Sequence, residues 1–105
     1  MQEISVTELA AYRRNATPHF LLDVREADEL QTAAIAGAHH IPMKTIAARL
    51  GEIPHDQPVI VMCHHGGRST RVTQELERNG YTNAVNLTGG IHAWACEIDP
   101  TIARY

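Results

Sequence analysis

Val59-Ile60-Val61-Met62 is an apolar run without a polar residue, bounded before by Pro58. Its length and β-branched content predict a strand buried on both faces. Phe20-Leu21-Leu22-Asp23-Val24 predicts a second strong strand, and Ala84 to Leu87 a last one. Two weaker strands are predicted at Glu3 to Ser5 and at His39-His40-Ile41, the latter ending at Pro42. Between these runs the apolar residues recur at helical spacing. Ser5-Val6-Thr7-Glu8 is a capping-box pattern, and the helix it opens runs to about Arg14 with Leu9 and Tyr12 on one face. A short helical stretch covers Ala27 to Thr32. Ile46, Leu50 and Ile53 fit the next helix at helical spacing, with Gly51 ending it and Ile53 just beyond. Val72 and Leu76 mark a helix that Ser69 or Thr70 caps and Asn79-Gly80 stops. Gly89-Gly90 turns into a short helix holding Ile91, Ala93 and Trp94. Glu97 to Tyr105 has mixed polarity and a proline, and is predicted to be a loosely held tail.

Strands thus alternate with helices. The pattern predicts an α/β fold with a mostly parallel central sheet of about five strands and helices on both faces. In such sheets ligands bind outside the carboxyl ends of the strands. Cys63 stands at the carboxyl end of the most strongly predicted strand, just before a helix, where backbone N–H groups converge and an anion is stabilised.

With 105 residues the chain is expected to form one domain, residues 1–105, around one core. Apolar residues at 44% and charged residues at 20% fit a soluble globular protein. The net charge of -3 and the lack of a basic run argue against a nucleic-acid partner. No apolar run has the length of a membrane span, and Met1-Gln2-Glu3-Ile4 does not read as a signal peptide. A cytoplasmic location is expected. There, Cys63 and Cys96 stay reduced, which suits a thiol with a chemical role better than a structural bridge.

Cys63 opens a Cys-x4-Arg loop in which His64, His65, Gly66 and Gly67 precede Arg68. Adjacent glycines let the backbone fold back and bring amides close to a ligand. An ordinary cysteine is only a few per cent thiolate at neutral pH. A hydrogen bond to a charged group contributes about 1.5–3 kcal/mol, against about 0.3–1 kcal/mol for a helix dipole. Main-chain N–H groups are therefore expected to do most of the work of holding a thiolate. Arg68 and Arg71 crowd the positive end of the following helix, a local conflict that a bound anion relieves. The seven histidines include the pairs His39-His40 and His64-His65, poor spacing for one ion on a strand or helix, so no metal is expected.

These segments together resemble the rhodanese family of sulfurtransferases. The resemblance rests on Leu21 to Glu26, Gly37 to Pro42, Cys63 to Ser69 and Leu87 to Trp94, in the family's order over nearly the whole chain. The chain departs from the family at Ala33-Ala34, where Gly-His is frequent, and at His64 and His65. The resemblance implies a rhodanese-like fold and a cysteine nucleophile, without a cofactor. Cys63 would take the outer sulfur of thiosulfate or a similar donor and pass it to cyanide or a thiol. His64, His65, Gly66, Gly67, Arg68 and Ser69 would bind the substrate: their amides hold the persulfide, and Arg68 attracts the sulfonate. Asp23 and Arg25 are expected to stabilise the strand end, and Cys96 to pack or to act as a resolving thiol. Related cysteine phosphatases carry a Cys-x5-Arg loop, large enough to surround phosphate; the shorter loop here favours a single sulfur. Three alternatives stay open at this point. They are a persulfide carrier serving a sulfur-relay protein, a phosphatase or arsenate reductase, and a non-catalytic interaction domain.

Overall fold

The computed structural model describes residues 1–105. Five strands form one parallel sheet: β1 (Gln2–Ile4), β2 (Phe20–Asp23), β3 (His39–His40), β4 (Val59–Met62) and β5 (Ala84–Leu87), in the order β1-β5-β4-β2-β3. The unbroken apolar run of β4 is central, paired with β2 through Leu21↔Ile60 and Leu22↔Val61 and with β5 through Ile60↔Val85. Its side chains alternate between two cores. Val59 and Val61 join Leu22, Val24, Ile41, Val72, Leu76 and Tyr81 on one face. Ile60 and Met62 join Ile4, Leu9, Leu21, Leu87, Ile91 and Trp94 on the other. With every β4 residue fully buried, a polar residue anywhere in that run would have lost its water on either face.

Four helices, α1 (Val6–Arg14), α2 (Ala27–Thr32), α3 (Gly67–Arg78) and α4 (Gly90–Glu97), accompany the sheet. The capping box of α1 forms as the sequence predicts: Glu8 N donates to Ser5 Oγ at 3.1 Å and Ser5 N donates to Glu8 Oε1 at 3.2 Å. Ser5 is therefore the cap, and β1 ends one residue before it.

The helix expected from Ile46 to Gly51 is replaced by two single 3-10 turns, Met43–Thr45 and Leu50–Glu52. Ile46 and Ile53 are nevertheless buried. The Tyr81 hydroxyl lies 2.8 and 3.1 Å from the carbonyls of Leu50 and Ile53 and donates to one of them at a time, which ties this segment to the core. Helical spacing thus identified which residues face the core, while Gly51 and Pro54 left too little chain for a regular helix. No helix of the protein is long and apolar enough to cross a membrane.

Candidate functional site

Cys63 follows β4 directly and lies at the carboxyl end of the sheet, 1% exposed. The chain then bends through His64 and His65 to Gly66, whose φ of 127° is a conformation that side chains other than glycine's rarely allow. This residue, and neither Ser69 nor Thr70, is the N-cap of α3. Positive φ at Gly66 starts the helix early, so both hydroxyls fall inside its first turn. There Ser69 Oγ and Thr70 Oγ1 donate to the Gly66 carbonyl at 3.1 and 2.7 Å.

Gly66 N donates to Cys63 Sγ at 3.1 Å, and the thiol lies 3.4 Å from Ser69 Oγ. Of the amides expected to hold the sulfur, the Gly66 amide makes the contact. The Ser69 hydroxyl, fully buried, is a second group beside the sulfur. It can accept from a thiol, or rotate to donate to a thiolate.

The base of the loop is fixed from the other side by α4. Ile91 N donates to the Cys63 carbonyl at 2.9 Å and His92 N to the His64 carbonyl at 3.0 Å. Gly90 makes this approach possible: with φ of 60°, a Cβ on it would lie 2.5 Å from both carbonyl oxygens. The Gly89-Gly90 turn seen in the sequence therefore serves the cysteine loop as well as its own helix.

Arg68 does not stand free. Its Nη1 and Nη2 donate to Glu29 Oε2 and Oε1 at 2.6 and 2.8 Å. This fork holds the Glu29 carboxyl down at about 2, with burial working against the shift, and raises the Arg68 pKa in turn. Glu29 also accepts from the Tyr105 hydroxyl at 2.9 Å, and that hydroxyl accepts from Arg25 Nη1 at 2.8 Å. Arg25, fully buried, is held by both carboxylate oxygens of Asp23 at 3.0 and 2.7 Å and by the Ala33 carbonyl at 2.9 Å. A polar chain thus runs from the end of β2, through Tyr105, to the arginine of the cysteine loop. The Tyr105 ring stacks on His64 with centroids 3.8 Å apart and planes 1° apart. The segment expected to be a loose tail ends, at Tyr105, against the site.

Glu29, Tyr105 and His92 were not singled out from the sequence. Glu29 could be read as the third residue of a helix opened by Glu26, and its carboxylate does accept from Glu26 N at 2.9 Å. Nothing local marks its second role, 39 residues from Arg68. His92 brings a third imidazole to His64 and His65, and one nitrogen from each ring lies within 4.8 Å of the others. Burial lowers the His64 pKa, with the neighbouring His65 adding to it. A cleft of about 310 Å³ lined by Gln2, Glu8, Tyr12 and Pro58, among others, lies at the opposite end of the sheet, where the strands begin, and contains no cysteine.

The model of the rhodanese-like domain matches residues 5–97. A protein named sulfurtransferase from Allochromatium vinosum is 34% identical over 103 residues, covering 98% of this chain and 96% of its own. An adenylyltransferase and sulfurtransferase of maize, MOCS3-1, is 33% identical over 109 residues, covering 97% of this chain; the chain spans only 23% of that relative's length. The crystal structure of a rhodanese-like domain protein from Staphylococcus aureus superimposes with a TM-score of 0.86 at 32% identity, over 100% of this chain and 99% of that one.

Proposed function

The chain belongs to the rhodanese-like domain family, and from that premise we propose that it is a sulfurtransferase working through a persulfide on Cys63. The observation that carries this reading is the Cys63 sulfur, at the head of a Cys-x4-Arg loop, 3.1 Å from the Gly66 amide. The thiolate attacks the outer sulfur of thiosulfate. An S–S bond forms, the S–SO₃ bond breaks, and its electron pair leaves with sulfite, which needs no general acid. The persulfide then gives its outer sulfur to cyanide or a thiol, and the Cys63 thiolate is regenerated.

The Gly66 amide and the Ser69 hydroxyl hold the negative sulfur, and His64, His65, Gly67 and Arg68 line the approach. Because Cys63 is almost fully buried, the side chains over the loop must move before a donor reaches it. A single terminal sulfur is the smallest group such an opening has to admit. Both cysteines are unpaired, which leaves Cys63 a thiol for this chemistry.

A second reading has its own support. Glu29 already neutralises Arg68, so the loop offers a small dianion less attraction than its sequence suggests. That favours a protein persulfide as donor and a sulfur-relay protein as partner, and relatives that join sulfurtransferase to adenylyltransferase in one chain fit it.

Intact mass tests both. Thiosulfate should add one sulfur atom to the protein, Cys63→Ser should fold and take none, and Cys96→Ser should load normally. Slow loading from thiosulfate with fast loading from a cysteine-desulfurase persulfide selects the carrier. No sulfur on Cys63 from either donor overturns the proposal.

A further inference from the structure

We propose that His64, His65 and His92 together form a binding site for one transition-metal dication of borderline softness, Zn²⁺ or Cu²⁺, where α4 meets the cysteine loop. Consecutive histidines on a strand point to opposite faces and cannot share an ion. Here His64 and His65 lie on a bend. Their rings are 4.0 Å apart and inclined by 40°, so both face the same way. His92, from the first turns of α4, brings its ring to 4.7 Å from His65 and 6.1 Å from His64.

The unpaired atoms point to a ligand. His64 Nε2 and His92 Nδ1 are both shielded from solvent, and neither has a hydrogen-bond partner. A buried nitrogen left unpaired is costly, and two in one cluster mark a place where something else completes the bonding. The other nitrogen of His92 faces Cys96 Sγ at 3.6 Å, which leaves Nδ1 as the one turned to the cluster. Tyr105, stacked flat on His64, fixes the plane of that ring and leaves its Nε2 unpaired. Outer contacts of this kind orient metal ligands.

The donor set selects the ion. Neutral imidazoles suit Zn²⁺ and Cu²⁺, whereas Mg²⁺ and Ca²⁺ demand oxygen. Tetrahedral Zn–N bonds of about 2.0–2.1 Å put ligand nitrogens roughly 3.3 Å apart. The three nitrogens here lie within 4.8 Å, so side-chain shifts of about 1 Å close the site. Three protein ligands leave the fourth position open for water or a sulfur ligand.

The test uses the full chain, stripped with chelator and kept reduced, in the Cys63→Ser background so that the thiol cannot contribute. Zn²⁺ and Cu²⁺ are titrated separately by calorimetry, while the imidazole nitrogens are followed by NMR. One ion should bind per chain, and the signals of His64 Nε2 and His92 Nδ1 should shift with diamagnetic Zn²⁺ and broaden away with paramagnetic Cu²⁺. His92→Phe, which keeps the ring shape and the backbone bond to His64, should weaken binding at least about tenfold, as should His65→Ala. His39→Ala and Cys96→Ser should bind like the parent. No binding of either ion, binding that survives His92→Phe and His65→Ala, or binding lost in Cys96→Ser overturns the site. The outcome is independent of sulfur loading, which is read by mass on the native cysteine.

Discussion

Glu29 grips both terminal nitrogens of Arg68, so the one arginine of the cysteine loop spends its charge on the protein. Glu29→Gln removes the negative partner and keeps the side-chain shape. A freed Arg68 should then draw an anionic donor: the concentration of thiosulfate needed to half-saturate Cys63 loading should fall about fivefold, equivalent to ~1 kcal/mol. Loading rates against thiosulfate concentration, read by intact mass, check this. A weaker apparent affinity in Glu29→Gln would mean that Glu29 serves the donor by aiming Arg68.

The same pair has a signature in acid. The Glu29 carboxyl sits at about 2 in the folded protein against an ordinary value of 4.5. A carboxyl depressed on folding stabilises the native state fully above its unfolded value, and loses that contribution as pH falls toward the folded one. The difference in melting temperature between the parent and Glu29→Gln should therefore be constant above about pH 5. It should shrink steadily from there as the pH approaches 2, and vanish below. Thermal melts at several pH values check it; a gap that widens on acidification would reverse the sign and exclude the ion pair as its source.

Much of this site could be read from the chain before its fold was known, and the reasons for success and failure are physical. The β4 strand, the Cys63 position and the Gly89-Gly90 turn were legible because burial on both faces and tight turns leave local marks in residue type. The helix start was misplaced because Ser69 and Thr70 are better capping residues than glycine, and the positive φ that moves the start to Gly66 comes from the loop's closure around Cys63 Sγ. The partners of Arg68 and His64 had no local mark. Glu29, Tyr105 and His92 arrive from other elements, and only the packing of α2, α4 and the final segment brings them together.

Ser69 sits beside the sulfur with no exposure to water. Ser69→Ala removes the hydroxyl that can donate to a thiolate, and leaves the Gly66 amide in place. Loading of Cys63 should slow by roughly tenfold, the equivalent of one hydrogen bond of ~1.4 kcal/mol, while stability falls by about 1 kcal/mol. Stopped mixing with thiosulfate and urea denaturation separate the two effects. An unchanged loading rate would assign the hydroxyl to the Gly66 carbonyl alone.

Gly90 carries two burdens that no other residue can. Its φ of 60° is unfavourable for any side chain, and a Cβ there would press on the Cys63 and His64 carbonyl oxygens at 2.5 Å. These are backbone atoms at the end of a buried strand and cannot step aside as a surface side chain would. Gly90→Ala should therefore destabilise the protein by about 2–4 kcal/mol, beyond the backbone penalty alone. Gly80→Ala is the control: its φ of 85° is similarly strained, but a Cβ there meets nothing within 4 Å, so it should cost only about 1–2 kcal/mol. Chemical denaturation of the two variants checks the difference. Because Ile91 N and His92 N hold the loop through those same carbonyls, Gly90→Ala should also slow Cys63 loading, and Gly80→Ala should not. Equal stability losses with equal loading rates would show that the close approach of α4 is not what shapes the cysteine loop.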